Sequence, residues 1–233
     1  MSNTNEFLPG LVVRGFTPPL DWSQFKAIAF DMDSTLINIE CIDEIADAAG
    51  KKAEVAAITE AAMRGEITDF CDSLRRRVAL LKGVPAQALQ TVLSERLQLN
   101  PGAQALMNAA REAGLKTLLV SGGFTFFADQ VKARLHMDEA HSNTLGVADG
   151  LLTGEVIGPI VDGQAKRQHL LDLCERIGCA PSQSIAVGDG ANDLPMMGVA
   201  GLSVAYHAKP KVREQAMVSI QSGGLDRLLA LFH

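Results

Sequence analysis

The sequence predicts an α/β fold: a parallel sheet with helices on both faces and a helical cap inserted after the first strand. Three observations carry this. AIAF at 27–30 is a short apolar run ending at Asp31, as a strand buried on both faces reads. Residues 41–113 then offer no strand pattern. From residue 114 strand-like and helix-like segments alternate, the rhythm of parallel strands joined by crossover helices.

Taken in order, residues 1–25 read as an N-terminal arm, because Pro18 and Pro19 interrupt regular structure and Trp22 is placed to anchor the segment on the body. The core begins with 26–40. The 41–113 stretch is rich in Ala, Leu, Glu, Arg and Lys, with helical spacing at Leu74, Val78 and Leu81. Gly50, Gly65, Gly83 with Pro85, and Asn100-Pro101-Gly102 divide it into four or five helices, predicted to form the cap. The core resumes over 114–233. LKTLLV (115–120) runs into Ser121-Gly122-Gly123 and a helix to Leu135, and Asp149-Gly150 marks the turn of a hairpin over 143–157. A helix over 165–177, SIAV (184–187), Gly188-Asp189-Gly190 and a short helix follow. LSVAY (202–206), a helix near 209–215, MVSI (217–220) and a C-terminal helix complete the pattern.

Composition narrows the function. The 233 residues are 47% hydrophobic and 21% charged, a globular balance with enough chain for a substantial core. A net charge of −6 argues against a dedicated binder of nucleic acid or anionic membrane. No apolar run reaches the roughly 18 residues of a spanning helix. The start, MSNTNEFLPGLVVRGF, lacks the basic and apolar regions of a signal peptide. Cys41, Cys71, Cys174 and Cys179 form neither C-x-x-C nor a zinc-finger spacing. The expectation is a cytoplasmic protein with reduced thiols.

In open α/β sheets ligands bind at the carboxyl ends of the strands. Asp31-Met32-Asp33-Ser34-Thr35 sits at the first such end, with two carboxylates on one side of an extended chain, although such residues also mark turns and helix caps. Ser121-Gly122-Gly123 lets backbone N–H groups approach an anion, or makes a plain turn. Gly188-Asp189-Gly190-Ala191-Asn192-Asp193 sets two acids around a glycine turn, suited to a hard cation. Lys166 lies between these last two strands, where a lone Lys is commonly a solvated charge. Together they say more than singly. Converging acids repel and raise one another's pKa unless a cation intervenes, and Mg²⁺ binds carboxylates together with phosphate oxygens and water. Lys166 and the Ser121 hydroxyl would then serve the remaining phosphate oxygens. The combination predicts a phosphoryl-transfer site.

DMDST, SGG, Lys166 and GDGAND resemble the four ordered motifs of the haloacid dehalogenase superfamily of phosphatases, whose core is Rossmann-like. NIECIDEIADAAG (38–50), SLRRRVALLKG (73–83), VSGGF (120–124) and AVGDGANDLPM (186–196) are similar to its phosphoserine phosphatase family, over about 26–230. The resemblance implies Asp31 as nucleophile, forming an aspartyl-phosphate, and Asp33 as the acid and later the base. It implies Mg²⁺ on Asp31, the Asp33 backbone carbonyl and Asp189, with Ser121, Gly122 and Lys166 holding the phosphoryl group. Asn192 matches a position near the substrate, and Asp193 one that orients Lys166 or the metal shell; both could also be helix caps. Glu40 and Arg77 match the groups that receive the ammonium and carboxylate of phosphoserine. Periodicity alone does not select Arg77 over Arg75 and Arg76.

The implied activity is Mg²⁺-dependent hydrolysis of O-phospho-L-serine to L-serine and phosphate, the last step of serine biosynthesis. The expected partner is that small phosphomonoester, with no nucleic acid and no membrane. The alternatives are another small phosphomonoester such as phosphohomoserine, one methylene longer, and a non-catalytic binding protein on the same fold. Some family members carry an amino-acid-sensing domain ahead of the catalytic part, and an arm of 25 residues is too short to hold one.

Overall fold

The computed structural model describes residues 4–63 and 66–233; the first three residues of the predicted arm and the predicted break at Gly65 lie outside them. The segment read as an arm begins with a hairpin. Strands β1 (Thr4–Leu8) and β2 (Leu11–Arg14) are antiparallel and close through Pro9-Gly10, with Gly10 in the left-handed region at φ 74°. Leu11 and Val13 point into the core, and β2 pairs with the last strand of the chain, Val218–Ile220. Residues 4–14 of the predicted arm therefore include two strands of the sheet. Their alternation spans too few residues to register in the sequence, and their partner lies at the far end of the chain. Trp22 stacks on Phe232, with ring centroids 3.8 Å apart.

β3 (Ala27–Phe30) is wholly buried. Helices α1 (Cys41–Ala48), α2 (Lys52–Met63), α3 (Phe70–Ala79), α4 (Gln87–Glu95) and α5 (Ala103–Glu112) follow. Next come β4 (Lys116–Phe124) and α6 (Thr125–Leu135). β5 (Glu139–Ala148) and β6 (Leu151–Ile157) turn through Asp149 and Gly150, at φ 51° and 76°, as an Asp-Gly hairpin requires. Then follow α7 (Gly163–Ile177), β7 (Ser184–Gly188), α8 (Leu194–Met197), β8 (Leu202–Tyr206), α9 (Pro210–Gln215) and β9 (Val218–Ile220). The C-terminal segment Leu225–Leu231 winds as a tighter 3₁₀ helix.

Among the described residues the strands form one sheet, ordered β1-β2-β9-β8-β7-β3-β4-β5-β6. The strands from β9 to β5 are parallel, and β1, β2 and β6 add antiparallel edges. Phe30 pairs with Leu119 on one side and Val187 on the other, so β3 and β7 end beside one another and β4 continues past them to Phe124. Alternation splits the core by face. Ile28, Phe30, Leu119 and Val187 join the larger cluster, whereas Ala27, Ala29, Ala186 and Ala205 pack with Leu170 and Leu173 of α7 and Met196 of α8. Those alanines leave room for α7 to lie close against the sheet.

Within 41–113, helices α1 to α4 pack on one another, and α3 also meets β6. α5 departs from the cap predicted there: its Leu106, Met107 and Ala110 are buried, and it packs with β4, α6 and the C-terminal 3₁₀ helix. The entering and leaving segments run side by side, with Asn38 N–H donating to the Gln98 carbonyl at 3.0 Å and Ile37 paired with Leu99.

One polar lock sets the start of β4. Asp138 Oδ2 accepts from the Thr117 N–H at 2.9 Å and its hydroxyl at 2.7 Å, while Lys116 Nζ meets Oδ1 at 2.8 Å. Burial pushes the Asp138 carboxyl up, but these donors prevail and hold it below its usual 3.8. A depressed folded pKa contributes stability above 3.8 that is lost as pH falls through the folded value. Asp138→Ala should therefore cost about 1–3 kcal/mol in urea unfolding at neutral pH, with the difference shrinking below the usual carboxylate range. A loss independent of pH would contradict this account.

Candidate active site

Asp31 leaves β3 still extended, its N–H donating to the Val187 carbonyl at 2.9 Å. The chain then makes a tight loop over Met32–Leu36, with Ser34 in the left-handed region at φ 58° and the Ile37 N–H returning to the Met32 carbonyl at 3.1 Å. Asn100 clamps the loop, its amide donating to the Thr35 and Ile37 carbonyls at 2.8 and 2.9 Å. This brings Asp31 and Asp33 to the lining of one cavity of about 670 Å³. Asp33 is held from α1, where the Cys41 N–H and thiol each donate to one of its oxygens at 3.1 Å.

Beneath the cavity floor the charges interlock. Lys166, wholly buried, donates to Asp31 Oδ1 at 2.5 Å and to Asp193 Oδ1 at 2.7 Å. The other Asp193 oxygen accepts the N–H groups of Asp189 and Gly190 at 3.1 and 3.0 Å. Lys166 sits in the first turn of α7, whose start is capped by Asp162 Oδ1 accepting from the Ala165 N–H at 2.8 Å. At the end of β4, Ser121 Oγ accepts from the Gly123 N–H at 2.9 Å.

The electrostatics ask for a cation. Burial drives the Asp31 carboxyl well above its usual range; Lys166 opposes this, and Asp193 and Asp189 add to it. Asp189 is pushed up to about 7, by burial first and then by Asp193 and Glu40. Asp33 also rises to about 7, through burial and the neighbouring Glu40, against the Cys41 bonds. Lys166 is driven upward against its burial by Asp193 and Asp31, so it stays charged. Carboxylate oxygens of Asp31, Asp189 and Asp193 lie within 4.8 Å of one another. A compact, all-oxygen, under-neutralised donor set fits a hard divalent ion. Asp193 already spends both oxygens on Lys166 and two backbone amides, which leaves Asp31 and Asp189 as the freer carboxylate donors.

Of the residues singled out in the sequence, Asp31, Asp33, Glu40, Arg77, Ser121, Gly122, Asp189 and Asn192 line this cavity, while Lys166 and Asp193 lie beneath it. α3 decides among the three arginines. Arg75 and Arg76 are exposed, and Arg76 pairs with Asp72 at 2.8 Å. Arg77 turns to the cavity, where burial lowers its pKa and Asp43, Glu40 and Asp33 oppose that. Phe70, on the same helix, closes over Gly122: a Cβ there would lie 2.9 Å from the ring. The sequence does not single out Cys41 beyond a reduced thiol, Lys209, which lines the cavity, or Asn143, which bonds to the Gly122 carbonyl; Asp162 was a legible signal, as a capping residue before a helix.

The family model for haloacid dehalogenase-like hydrolases matches residues 25–201, and the chain belongs to that family. It is 65% identical to the phosphoserine phosphatase of a Polaromonas species, over 97% of this chain and 98% of that protein. It is 52% identical to the phosphoserine phosphatase of Haemophilus influenzae, over 93% of this chain and 68% of the other. A solved substrate-bound phosphoserine phosphatase complex superposes with a TM-score of 0.83 at 39% identity, covering 90% of this chain and 99% of that one. Within the hydrolases, then, this chain groups with the phosphoserine phosphatases.

Gly188 tests the charge network. A Cβ there would lie 2.4 Å from the Asp193 carboxylate. Gly188→Ala should lower kcat/KM by roughly 100-fold through misplacement of Asp193 and Lys166. Steady-state kinetics on a phosphomonoester checks this, and wild-type kinetics would contradict the role given to Asp193.

Proposed function

We propose that this chain hydrolyses O-phospho-L-serine to L-serine and inorganic phosphate, with Asp31 as nucleophile and Mg²⁺ as cofactor. The observation that carries the reading is the make-up of a single cavity. Asp31, Asp33, Ser121 and Asp189 form its floor, and Glu40 and Arg77 its helical wall.

Phosphoserine presents a phosphate, an ammonium and a carboxylate. The Ser121 hydroxyl, the backbone at Gly122 and the charged Lys166 receive the phosphoryl oxygens. Arg77 meets the carboxylate with its planar fork, and Glu40 the ammonium. An Asp31 oxygen attacks phosphorus while the bond from phosphorus to the serine oxygen breaks, and Asp33 gives that oxygen its proton. A water then attacks the phosphorus of the aspartyl-phosphate and gives a proton to Asp33, and the bond to Asp31 breaks. Asp33 ends as it began, and the net change is ester plus water to alcohol plus phosphate. A carboxyl near 7 suits both duties of Asp33 at neutral pH. Asp31, Asp189 and the Asp33 backbone carbonyl would hold Mg²⁺, which when bound supplies the positive charge that a buried cluster of acids and phosphate lacks. Asn192, which also lines the cavity, is assigned to the substrate, and Asp193 to the orientation of Lys166.

We read α1 to α4 as a cap that shields the intermediate from bulk water, over a core made of the sheet and its flanking helices. No helix among the described residues is long and apolar enough to cross a membrane. We place the enzyme in the cytoplasm, where its four free cysteines would stay reduced.

Phosphate release from phosphoserine, phosphohomoserine, phosphothreonine, phosphoethanolamine and an aryl phosphate, each with Mg²⁺ and with a chelator, tests the reading. Strong Mg²⁺-dependent preference for phosphoserine is expected, and a flat profile would remove the role of the helical wall. Asp31→Asn should abolish turnover in a folded protein. Arg77→Ala should cost about 2–3 kcal/mol of transition-state binding on phosphoserine and little on the aryl phosphate, read from kcat/KM. Equal losses on both would mean that Arg77 supports the phosphate site or the structure.

A further inference from the structure

Asn143 sits on β5, 1% exposed, and each end of its amide bonds to a different part of the cleft. Its Nδ2 donates to the Gly122 carbonyl at 2.8 Å, and its Oδ1 accepts from the Val161 N–H at 2.8 Å. The partners fix which way the amide faces, since only the nitrogen donates and only the oxygen accepts.

The ladder between β4 and β5 explains why a side chain is needed. Their pairing passes from Val120 with His141 to Phe124 with Asn143, so β4 advances four residues while β5 advances two. The two surplus residues make a bulge within Ser121-Gly122-Gly123. Asn143 reaches across to the bulged carbonyl of Gly122.

The peptide unit between Gly122 and Gly123 is planar, with its C=O and N–H directed oppositely. Asn143 holds the C=O, and the N–H donates to Ser121 Oγ at 2.9 Å. Ser121 Oγ therefore accepts from its own loop, which leaves its single proton to be donated elsewhere. The other end of Asn143 steadies Val161, next to the Asp162 that caps α7, the helix carrying Lys166.

We propose that Asn143 is a positioning residue for phosphoryl recognition: it locks the Gly122–Gly123 peptide so that the Ser121 hydroxyl is aimed at a phosphoryl oxygen. The proposal rests on the phosphatase reading above. None of the sequence motifs includes Asn143.

The test compares Asn143→Ala with wild type on phosphoserine and an aryl phosphate, with inorganic phosphate as inhibitor and thermal unfolding as a control for folding. kcat/KM should fall by the same factor on both substrates, roughly 10- to 100-fold, because the phosphoryl group is common to them. Inhibition by phosphate should weaken, and the preference between substrates should be unchanged. A cycle with Ser121→Ala gives the sharper reading. If Asn143 acts through the Ser121 hydroxyl, the double variant should be no worse than Ser121→Ala alone, whereas independent effects would multiply. Should Asn143→Ala fail to fold, Asn143→Ser, too short to span both partners, takes its place in every comparison. Wild-type constants in a folded variant, or losses that multiply in the cycle, would overturn the proposal. An inactive wild type would instead sink the phosphatase reading itself, and this proposal with it.

Discussion

A fully buried ammonium between two carboxylates governs the arrangement of the site. Lys166 has no access to water, so its desolvation has to be offset by the bonds to Asp31 and Asp193. Those bonds tie three elements together. α7 supplies the lysine, β3 ends in Asp31, and the turn after β7 is folded around Asp193. Removing one partner would strand a charge in the interior, which makes the pattern an all-or-nothing unit. The unit also leaves an excess of negative charge beside Asp189. A dication in the acidic cluster would restore the balance and return the raised carboxyls to their ionised forms.

The site is layered. The floor comes from the carboxyl-end halves of β3, β4 and β7 and the turns after them, and to its residues we assign the phosphoryl group. The wall comes from α1 and α3 with Glu40, and to its residues we assign the choice of what the phosphoryl group is attached to. Phe70 and Arg77 share α3, so the ring that closes over Gly122 and the guanidinium proposed for the substrate carboxylate arrive together. Cys41 joins the layers from the other side, since the first turn of α1 holds both oxygens of Asp33. A change in where the helices sit would therefore reach the proposed acid and base directly.

Much of this was legible in the sequence where chemistry and local pattern coincide. Asp31 follows an unbroken apolar strand, Asp189 sits in a glycine turn after another, and Asp149-Gly150 marks its hairpin without help from tertiary structure. The N-terminal hairpin was hidden because Leu11 and Val13 need β9 before their alternation has a meaning. α5 was assigned with the cap because helical periodicity says which face is apolar but not what it packs against. Asn143 carried no signal: a polar residue in a strand reads as solvent-facing until the bulge opposite it is seen. Among Arg75, Arg76 and Arg77, one helical turn admits only one inward direction, and packing chose it.

In the proposed reaction Asp31 carries the phosphoryl group between two displacements. The most direct measurement is rapid acid quench of the enzyme turning over phosphoserine labelled in its phosphate, followed by digestion and mapping of the labelled peptide. Transient label is expected on the peptide containing Asp31, stable to acid, released by base or hydroxylamine, and missing in Asp31→Asn. Phosphate release without a covalent intermediate, or label on a different residue, would contradict it.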